Sequence, residues 1–367
     1  IEERIKRGAI QFLYVAPERF ENTFFLNLLR KIKIPLIAFD EAHCISKWGH
    51  DFRPSYQSVI QKVFTLPQSF TIVALTATAT AEVQQDIMSK LSIGQNDVVK
   101  TSTKRRNLIF KVNPTYQRQK FVVDYVANHE GQAGIIYCST RKQVEELHEA
   151  LNSEKIKSTI YHAGLTNKER IEAQNDFLYD RVEVVIATNA FGMGIDKSNV
   201  RYVIHYNMPG DLESYYQEAG RAGRDGLKSE CILLFSERDK GLHEYFITVS
   251  QADDDYKDKM GEKLTKMIQY TKTKKCLEAT IVHYFEPNEN LEECNQCSNC
   301  IQENKTYDMT REAKMIISCI ARMKQQESYS VIIQVLRGEV TDYIKHHHYN
   351  ELTTCLLYTS PSPRDLS

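Results

Sequence analysis

The sequence predicts an α/β protein built on parallel sheets, followed by helical modules. Two observations carry the first part: short apolar runs recur between residues 10 and 235, and polar segments with helical periodicity separate them. The runs are apolar on consecutive rather than alternate positions, the pattern of parallel strands buried on both faces. A third observation carries the second part. After Phe235 no such run recurs, and amphipathic, basic helical segments take over.

In chain order the expected strands are IQFLYV (10–15), PLIAF (35–39), TIVAL (71–75), GIIYC (134–138), EVVIAT (183–188), YVIHY (202–206) and CILLF (231–235). Between them, RKQVEELHEALNSEK (141–155) sets Val144, Leu147, His148 and Leu151 on one helical face, and NKERIEAQNDFLYD (167–180) reads as a second helix. The polar stretch from Thr101 to Asn107 interrupts the alternation and is expected to split the α/β part into two lobes. The expected boundaries are 1–105 for part of a first lobe, 106–237 for a second, 238–303 for a cysteine-bearing helical module and 304–352 for a small helix-turn-helix module. In the last, Ala313, Ile316, Ile317, Ile320 and Met323 recur at helical spacing, then Ile332, Val335 and Leu336 before Gly338. The ending CLLYTSPSPRDLS abandons periodicity, so 353–367 is expected to be a non-native or disordered tail.

Composition bounds the rest. A chain of 367 residues with 42% hydrophobic and 26% charged residues is that of a soluble globular protein, and no apolar run approaches the ~20 residues of a membrane span. A net charge of −1 excludes a wholly basic surface, so nucleic-acid contacts must use local patches such as KTKKC (272–276). Nine cysteines are too sparse for a disulfide scaffold, and Cys44, Cys138, Cys231, Cys319 and Cys355 read as buried or idle thiols. The N-terminus carries neither Met nor a signal-peptide layout, which points to a reducing cytoplasm and to a chain cut within a domain.

The stretch FDEAHCISKWGHDFRP (39–54) places Asp40 and Glu41 at the end of an expected parallel strand, the edge where open α/β sheets take their ligands. In phosphoryl-transfer sites one such carboxylate holds Mg²⁺ and another orients the attacking water, although a lone Asp-Glu pair serves equally to cap a helix. Trp48, His50, Phe52 and Arg53 follow on a polar loop, an aromatic and basic mixture suited to stacking on unpaired bases; local packing, above all of Tyr56, is the alternative. LTATAT (75–80) ends a strand in hydroxyls, with Thr76 and Thr78 as relays and Thr78 or Thr80 as a helix cap. AFGMGID (190–196) brackets Met193 with glycines, as a backbone close to phosphate or a tight turn requires. In QEAGRAGRDG (217–226), Arg221 and Arg224 can offer guanidinium groups to phosphate oxygens, or pair with Glu218 or Asp225 on a surface turn.

Cys276, Cys294, Cys297 and Cys300 form C-x17-C-x2-C-x2-C, a spacing that brings four thiolates to one tetrahedral point, as structural zinc does. Redox chemistry at a CxxC is the rival, without the βαβ context it needs. The triple histidine at 346–348 reads as a solvated basic turn.

DEAH followed by CISKWGHDFRP closely resembles motif II and the aromatic-rich loop of RecQ-family DNA helicases, within superfamily 2. YVAPER (14–19), LTATAT, IIYCSTR (135–141), ATNAFGMGID (187–196) and SYYQEAGRAGRDG (214–226) resemble motifs Ib, III, IV, V and VI in the family's order, over about residues 1–352. The resemblance implies two RecA-like lobes, the first incomplete, then a four-cysteine zinc module and a partial winged helix. It implies ATP-dependent 3′–5′ unwinding of DNA in recombination and repair, with ATP, Mg²⁺ and Zn²⁺ as cofactors, single-stranded and duplex or junction DNA as partners, and a bacterial cytoplasm or nucleoid as location. By the same resemblance Asp40 holds Mg²⁺, Glu41 orients water, His43 carries the signal from the aromatic loop, and Gln217, Arg221 and Arg224 face phosphates across the lobe interface. Thr76, Thr78, Gly194 and Asp196 fall on the nucleotide side. Trp48, His50, Phe52, Arg53, Ser139, Thr140, Arg141 and His162 fall on the DNA side, with a structural role open for His162. The chain departs from the family in having no Gly-Lys dipeptide, so the glycine-rich phosphate loop is expected upstream of residue 1 and the fragment is expected to be inactive. A non-hydrolysing DNA-binding scaffold is the rival function; an RNA helicase fits the cysteine module and the WGHDFRP loop less well.

Overall fold

The computed structural model describes residues 2–49, 52–192, 195–289, 292–301, 310–324 and 327–352. It falls into two units, Ile1–Gln302 and Glu303–Ser367.

The first unit opens with helices α1 (Glu2–Lys6) and α2 (Thr23–Leu29), then β1 (Leu36–Phe39), α3 (Pro54–Val63), β2 (Thr71–Ala74) and α4 (Ala81–Leu91). β1 and β2 pair in parallel, with Phe39 opposite Ala74. Thr80 caps α4 by accepting the Val83 N–H, which takes the capping alternative away from Thr78. Phe25, Leu29, Phe39, Val59, Val63, Val83, Ile87 and Leu91 bury one core between sheet and helices. The run IQFLYV is not a strand, contrary to expectation. No strand among the described residues pairs with it, Phe12 and Tyr14 are 82% and 96% exposed, and an unpaired apolar run has no ladder to hold it extended.

A six-stranded parallel sheet follows: β3 (Leu108–Pro114), β4 (Ala133–Tyr137), β5 (Ser158–Tyr161), β6 (Val184–Ala187), β7 (Val200–His205) and β8 (Ser229–Phe235), in the order β3-β8-β7-β4-β6-β5. Its helices are α5 (Arg118–Ala127), α6 (Arg141–Ser153), α7 (Asn167–Leu178) and α8 (Leu212–Ala219). The two strands that the apolar-run criterion misses, β3 and β5, are the two edges. β5 is half-buried throughout and β3 buries only Leu108 and Phe110, so LIFKVNP and STIY mix polar and apolar positions where the central strands are continuous.

Helices α9 (Glu237–Val249), α10 (Asp254–Lys272), α11 (Leu277–Phe285) and α12 (Ser298–Ile301) close the unit. Leu264, Met267, Tyr270, Leu277, Ile281 and Phe285 enter the same core as Tyr215 and Leu233 on one face of the sheet, while Val122, Val144, Leu147 and Leu151 cover the other. The free edge of β3 is blunted by this helical module: Ser298 Oγ accepts the Val112 N–H at 3.2 Å, and Gln296 Nε2 donates to the Arg106 carbonyl at 2.9 Å.

The second unit holds α13 (Thr310–Arg322), α14 (Tyr329–Arg337) and α15 (Asp342–His346), with Gly338 ending α14 in the left-handed conformation. Its core is Cys319, Met323, Val335, Leu336 and Ile344. Cys319 of α13 and Met323 just beyond it are buried, the latter as the spacing predicts, while Ile316 and Ile317 of the expected apolar face are exposed, a correction to it. His346 to His348 are exposed, as a solvated turn requires. Residues 353–367 and Cys355 lie outside the described residues, as do two site candidates, His50 and Gly194.

Candidate functional site

The end of β1 delivers the paired carboxylates. Asp40 is exposed just beyond Phe39, and its Oδ1 accepts the Glu41 N–H at 2.9 Å. Glu41 adopts a left-handed backbone, φ 48° and ψ 46°, which costs a non-glycine residue on the order of 1–3 kcal/mol. The strain is braced by the β1–β2 ladder continuing past the strands: Leu75 N–H donates to the Phe39 carbonyl and Ala42 N–H to the Leu75 carbonyl, both at 2.8 Å. Buried His43 joins the two strand ends, its Nδ1 lying 3.2 Å from Thr76 Oγ1 and 3.3 Å from Glu41 Oε2. Thr76 Oγ1 in turn accepts the Thr78 N–H at 3.3 Å. Among the described residues Thr78 Oγ1 is buried without a hydrogen-bond partner.

Facing these are residues from the second sheet. A cavity of about 850 Å³ is lined by Glu41, Thr76 and Thr78 from one side and by Asp196, Gln217, Arg221 and Arg224 from the other. The two arginines differ. Arg224 is partly exposed and pairs with Asp196 Oδ1 at 2.9 Å and the Ile195 carbonyl at 3.1 Å, not with Glu218 or Asp225. Those two have other partners, His205 at 2.8 Å and Arg201 at 2.6 Å. Arg221 is buried, packed against Gly192 and Tyr137; burial pushes the Tyr137 phenol up, against the pull of the guanidinium beside it. Gly223, at φ +57° with Asn107 and the Leu227 carbonyl crowding its Cβ position, is the turn that separates them.

The aromatic loop lies elsewhere. Trp48 is half-buried, its ring 5.3 Å from Lys47 Nζ and 5.7 Å from Lys259 Nζ of α10. Phe52 and Arg53 are also half-buried, and Tyr56 packs on the first core while donating to the Asp40 carbonyl at 3.1 Å. Gly49 is where the loop turns back on itself: a Cβ there would stand 2.2 Å from the His43 carbonyl oxygen.

At the carboxyl ends of β4 and β5 a third group gathers. A Cβ on Gly164 would lie 3.1 Å from both Arg141 Nη1 and His162 Nδ1, so the exposed arginine and the buried histidine share one corner. His162 Nδ1 accepts the Gly164 N–H at 3.2 Å, which is the structural role; its Nε2 lies 3.6 Å from Glu145 Oε1. Ser139 is held by its N–H to Asn207 Oδ1 at 3.0 Å, and Thr140 caps α6.

The four cysteines converge. All four Sγ atoms lie within 4.8 Å of one another, with Cys294–Cys300 at 3.9 Å and Cys276–Cys297 at 4.0 Å. These separations are far beyond a disulfide bond and match the edge of roughly 3.8 Å that four sulfurs at zinc–thiolate distance define. Backbone N–H groups of Leu277 and Cys294 point at Cys297 and Cys276 Sγ at 3.3 and 3.4 Å. The Cys297 thiol, although burial opposes it, is held below its ordinary value by such N–H groups, which favour the thiolate. The donor set fits zinc.

Sequence reasoning missed the residues that close the cavity at the inter-lobe linker. Lys100, Thr103 and Arg105 line it, as do Tyr216, Phe285 and Glu286. Glu286 Oε1 accepts both the N–H and the hydroxyl of Thr103 at 2.9 Å, Tyr216 donates to the Thr103 carbonyl, and Arg105 Nη2 reaches the Gly223 carbonyl at 3.2 Å. The sequence signal for them is the basic polar composition of 101–107, TSTKRRN.

Comparison with known proteins matches this layout piece by piece. Residues 1–87 match the DEAD/DEAH box helicase family, 117–226 the helicase conserved C-terminal domain, 237–301 the RecQ zinc-binding family and 303–355 the RQC domain. The chain is 44% identical over 350 residues to ATP-dependent DNA helicase RecQ of Bacillus subtilis, covering 95% of this chain and 59% of that one. It is 35% identical over 354 residues to the protein of the same name from Pasteurella multocida, covering 96% and 55%. The chain thus spans between half and three-fifths of the length of these relatives. Among solved structures, Saccharomyces cerevisiae Dbp5 bound to RNA and ADP BeF3 is similar with a TM-score of 0.50 and 21% identity, over 68% of each chain, a likeness of fold with its paired RecA-like lobes.

Proposed function

Because this chain belongs to the RecQ family of helicases, we propose that it forms part of an ATP-dependent 3′–5′ DNA helicase of recombination and repair, working in the cytoplasm on single-stranded and duplex or junction DNA. The observation that carries the reading is the cavity where Glu41 and Thr76 of one sheet face Gln217, Arg221 and Arg224 of the other. Hydrolysis across such a cleft responds to how the lobes stand, and DNA that moves one lobe changes the rate.

The assigned domains are 1–105 and 106–237 for the lobes, 238–303 for the zinc module and 304–352 for the partial winged helix. Asp40 would hold Mg²⁺, which would supply charge neutralisation at the phosphates of ATP. Glu41, strained into its backbone conformation and steadied by His43, orients the attacking water. Thr76 and Thr78 carry hydrogen bonds from that edge toward the DNA side. Arg224, shared with Asp196 in the free protein, turns to the phosphates as the finger across the lobes, while buried Arg221 holds the Gly192 segment and Gln217 positions the phosphates. Trp48, Phe52 and Arg53 face the unpaired strand, with Ser139, Arg141 and His162 on its backbone. Cys276, Cys294, Cys297 and Cys300 hold Zn²⁺ as a structural crosslink.

The test compares this chain with a version extended by a Gly-Lys-Ser/Thr phosphate loop, each with and without Glu41→Gln. This sequence has no Gly-Lys dipeptide to build the cradle of backbone N–H groups that aligns the phosphates, so ATPase activity is expected only in the extended form, and there it is abolished by Glu41→Gln. Glu41-dependent turnover by the chain alone, or Glu41-independent turnover by the extended form, would overturn the reading.

A further inference from the structure

The aromatic loop is anchored by the helix that precedes the cysteines. Lys259 and Lys263 lie one turn apart on α10 and both reach Trp48: Lys259 stands over the ring, and Lys263 Nζ donates to the Trp48 carbonyl at 2.7 Å. Lys263 Nζ also pairs with Glu213 Oε1 at 3.0 Å, with side chains only 6% and 3% exposed. Lysine and glutamate are almost never buried to this degree unless paired. Burial holds the Glu213 carboxyl above its ordinary range, and Asp211 pushes it the same way. Glu213 sits in the first turn of α8, one turn before Gln217, and Arg221 follows at the end of that helix. A single ammonium thus joins the loop at Trp48 to the helix that carries the cleft residues.

We propose that Lys263 is a positioning residue that couples the aromatic loop to α8. If the loop moves, the lysine loses the Trp48 carbonyl or draws Glu213 with it, and leaving either charge unpaired in the core is costly. The loop and the phosphate-facing side chains of α8 therefore shift together. The consequence for hydrolysis rests on the helicase reading; the latch itself does not.

Trp48 is the only tryptophan in the chain, so its fluorescence reports on the loop without labelling. Acrylamide quenching is measured on the chain as it stands for wild type, Lys263→Met, and the double variant Lys263→Met with Glu213→Gln, which leaves no buried charge should the single variant fail to fold. Lys240→Met, which removes an exposed lysine paired with Glu244 on α9, is the control. A released loop is expected to raise the quenching constant about twofold in both Lys263 variants, with zinc content unchanged, and not in the control. In the extended protein, Lys263→Met is expected to lower DNA-stimulated turnover about tenfold while the KM for ATP stays put. Unchanged quenching, or an equal rise in the control, overturns the latch whatever the hydrolysis assay reads. Raised quenching with undiminished DNA stimulation overturns the coupling. A wild-type extended protein without DNA stimulation overturns the helicase reading, and quenching still decides the latch.

Discussion

Glu41, Cys297 and Lys263 show three ways in which one residue acquires its role. Glu41 announces itself: a carboxylate next to Asp40 at a strand end is legible, and the structure adds a left-handed backbone that only its surroundings can hold. Cys297 is legible through its spacing from Cys294 and Cys300, and its thiol is fully buried within the set. Zinc binding and folding are coupled in such modules, with apparent binding free energies on the order of 10 kcal/mol. Cys297→Ser is therefore expected to lose the metal and lower the unfolding temperature, as native mass spectrometry and calorimetry would show; full stability without metal would contradict the zinc assignment. Lys263 was invisible, because a lysine on an amphipathic, basic helix reads as a solvated charge until its partners, 50 and 215 residues away, are placed against it.

Among the elements, strands with two covered faces were readable and edge strands were not. β4, β6 and β7 are uniformly buried or nearly so, which forces consecutive apolar residues, whereas β3 and β5 need only one good face. The linker between the lobes is a second case. Nothing in residues 101–107 shows that Glu286, at the end of α11, will fasten Thr103 by two hydrogen bonds. Bonds to a charged acceptor that is partly screened by solvent contribute about 1–2 kcal/mol together. Glu286→Ala is expected to speed hydrogen exchange at the Thr103 amide while leaving the cysteine cluster's metal content alone. Unaltered exchange would mean that Tyr216 and Arg105 hold the linker by themselves.

At the scale of the whole molecule, the net charge of −1 hides local basic surface, with Arg141 exposed near His162 and Lys274 and Lys275 exposed ahead of Cys276. Contacts of that kind bind the phosphate backbone with counterion release. The chain is expected to bind single-stranded oligonucleotide weakly, with affinity falling roughly a thousandfold or less between 50 and 200 mM salt, the range for six phosphate contacts or fewer. Salt-independent binding in a fluorescence anisotropy titration would instead point to stacking alone.

What the sequence by itself determined is local chemistry and its order: the class of fold, the carboxylates at a strand end, the arginines of the glycine turn, the metal spacing and the family resemblance. Each follows from residues near one another in the chain, where periodicity and spacing hold the information. What only the tertiary structure decided is which of these face each other. Glu41 at the strand end and the glycine-turn arginines share a cavity, the aromatic loop rests on α10, and Arg224 chooses Asp196 over its sequence neighbours. The physical reason is that a buried charge or a carbonyl takes whichever partner the packed core leaves within about 3 Å, and that choice is made by the topology of the sheets rather than by distance along the chain.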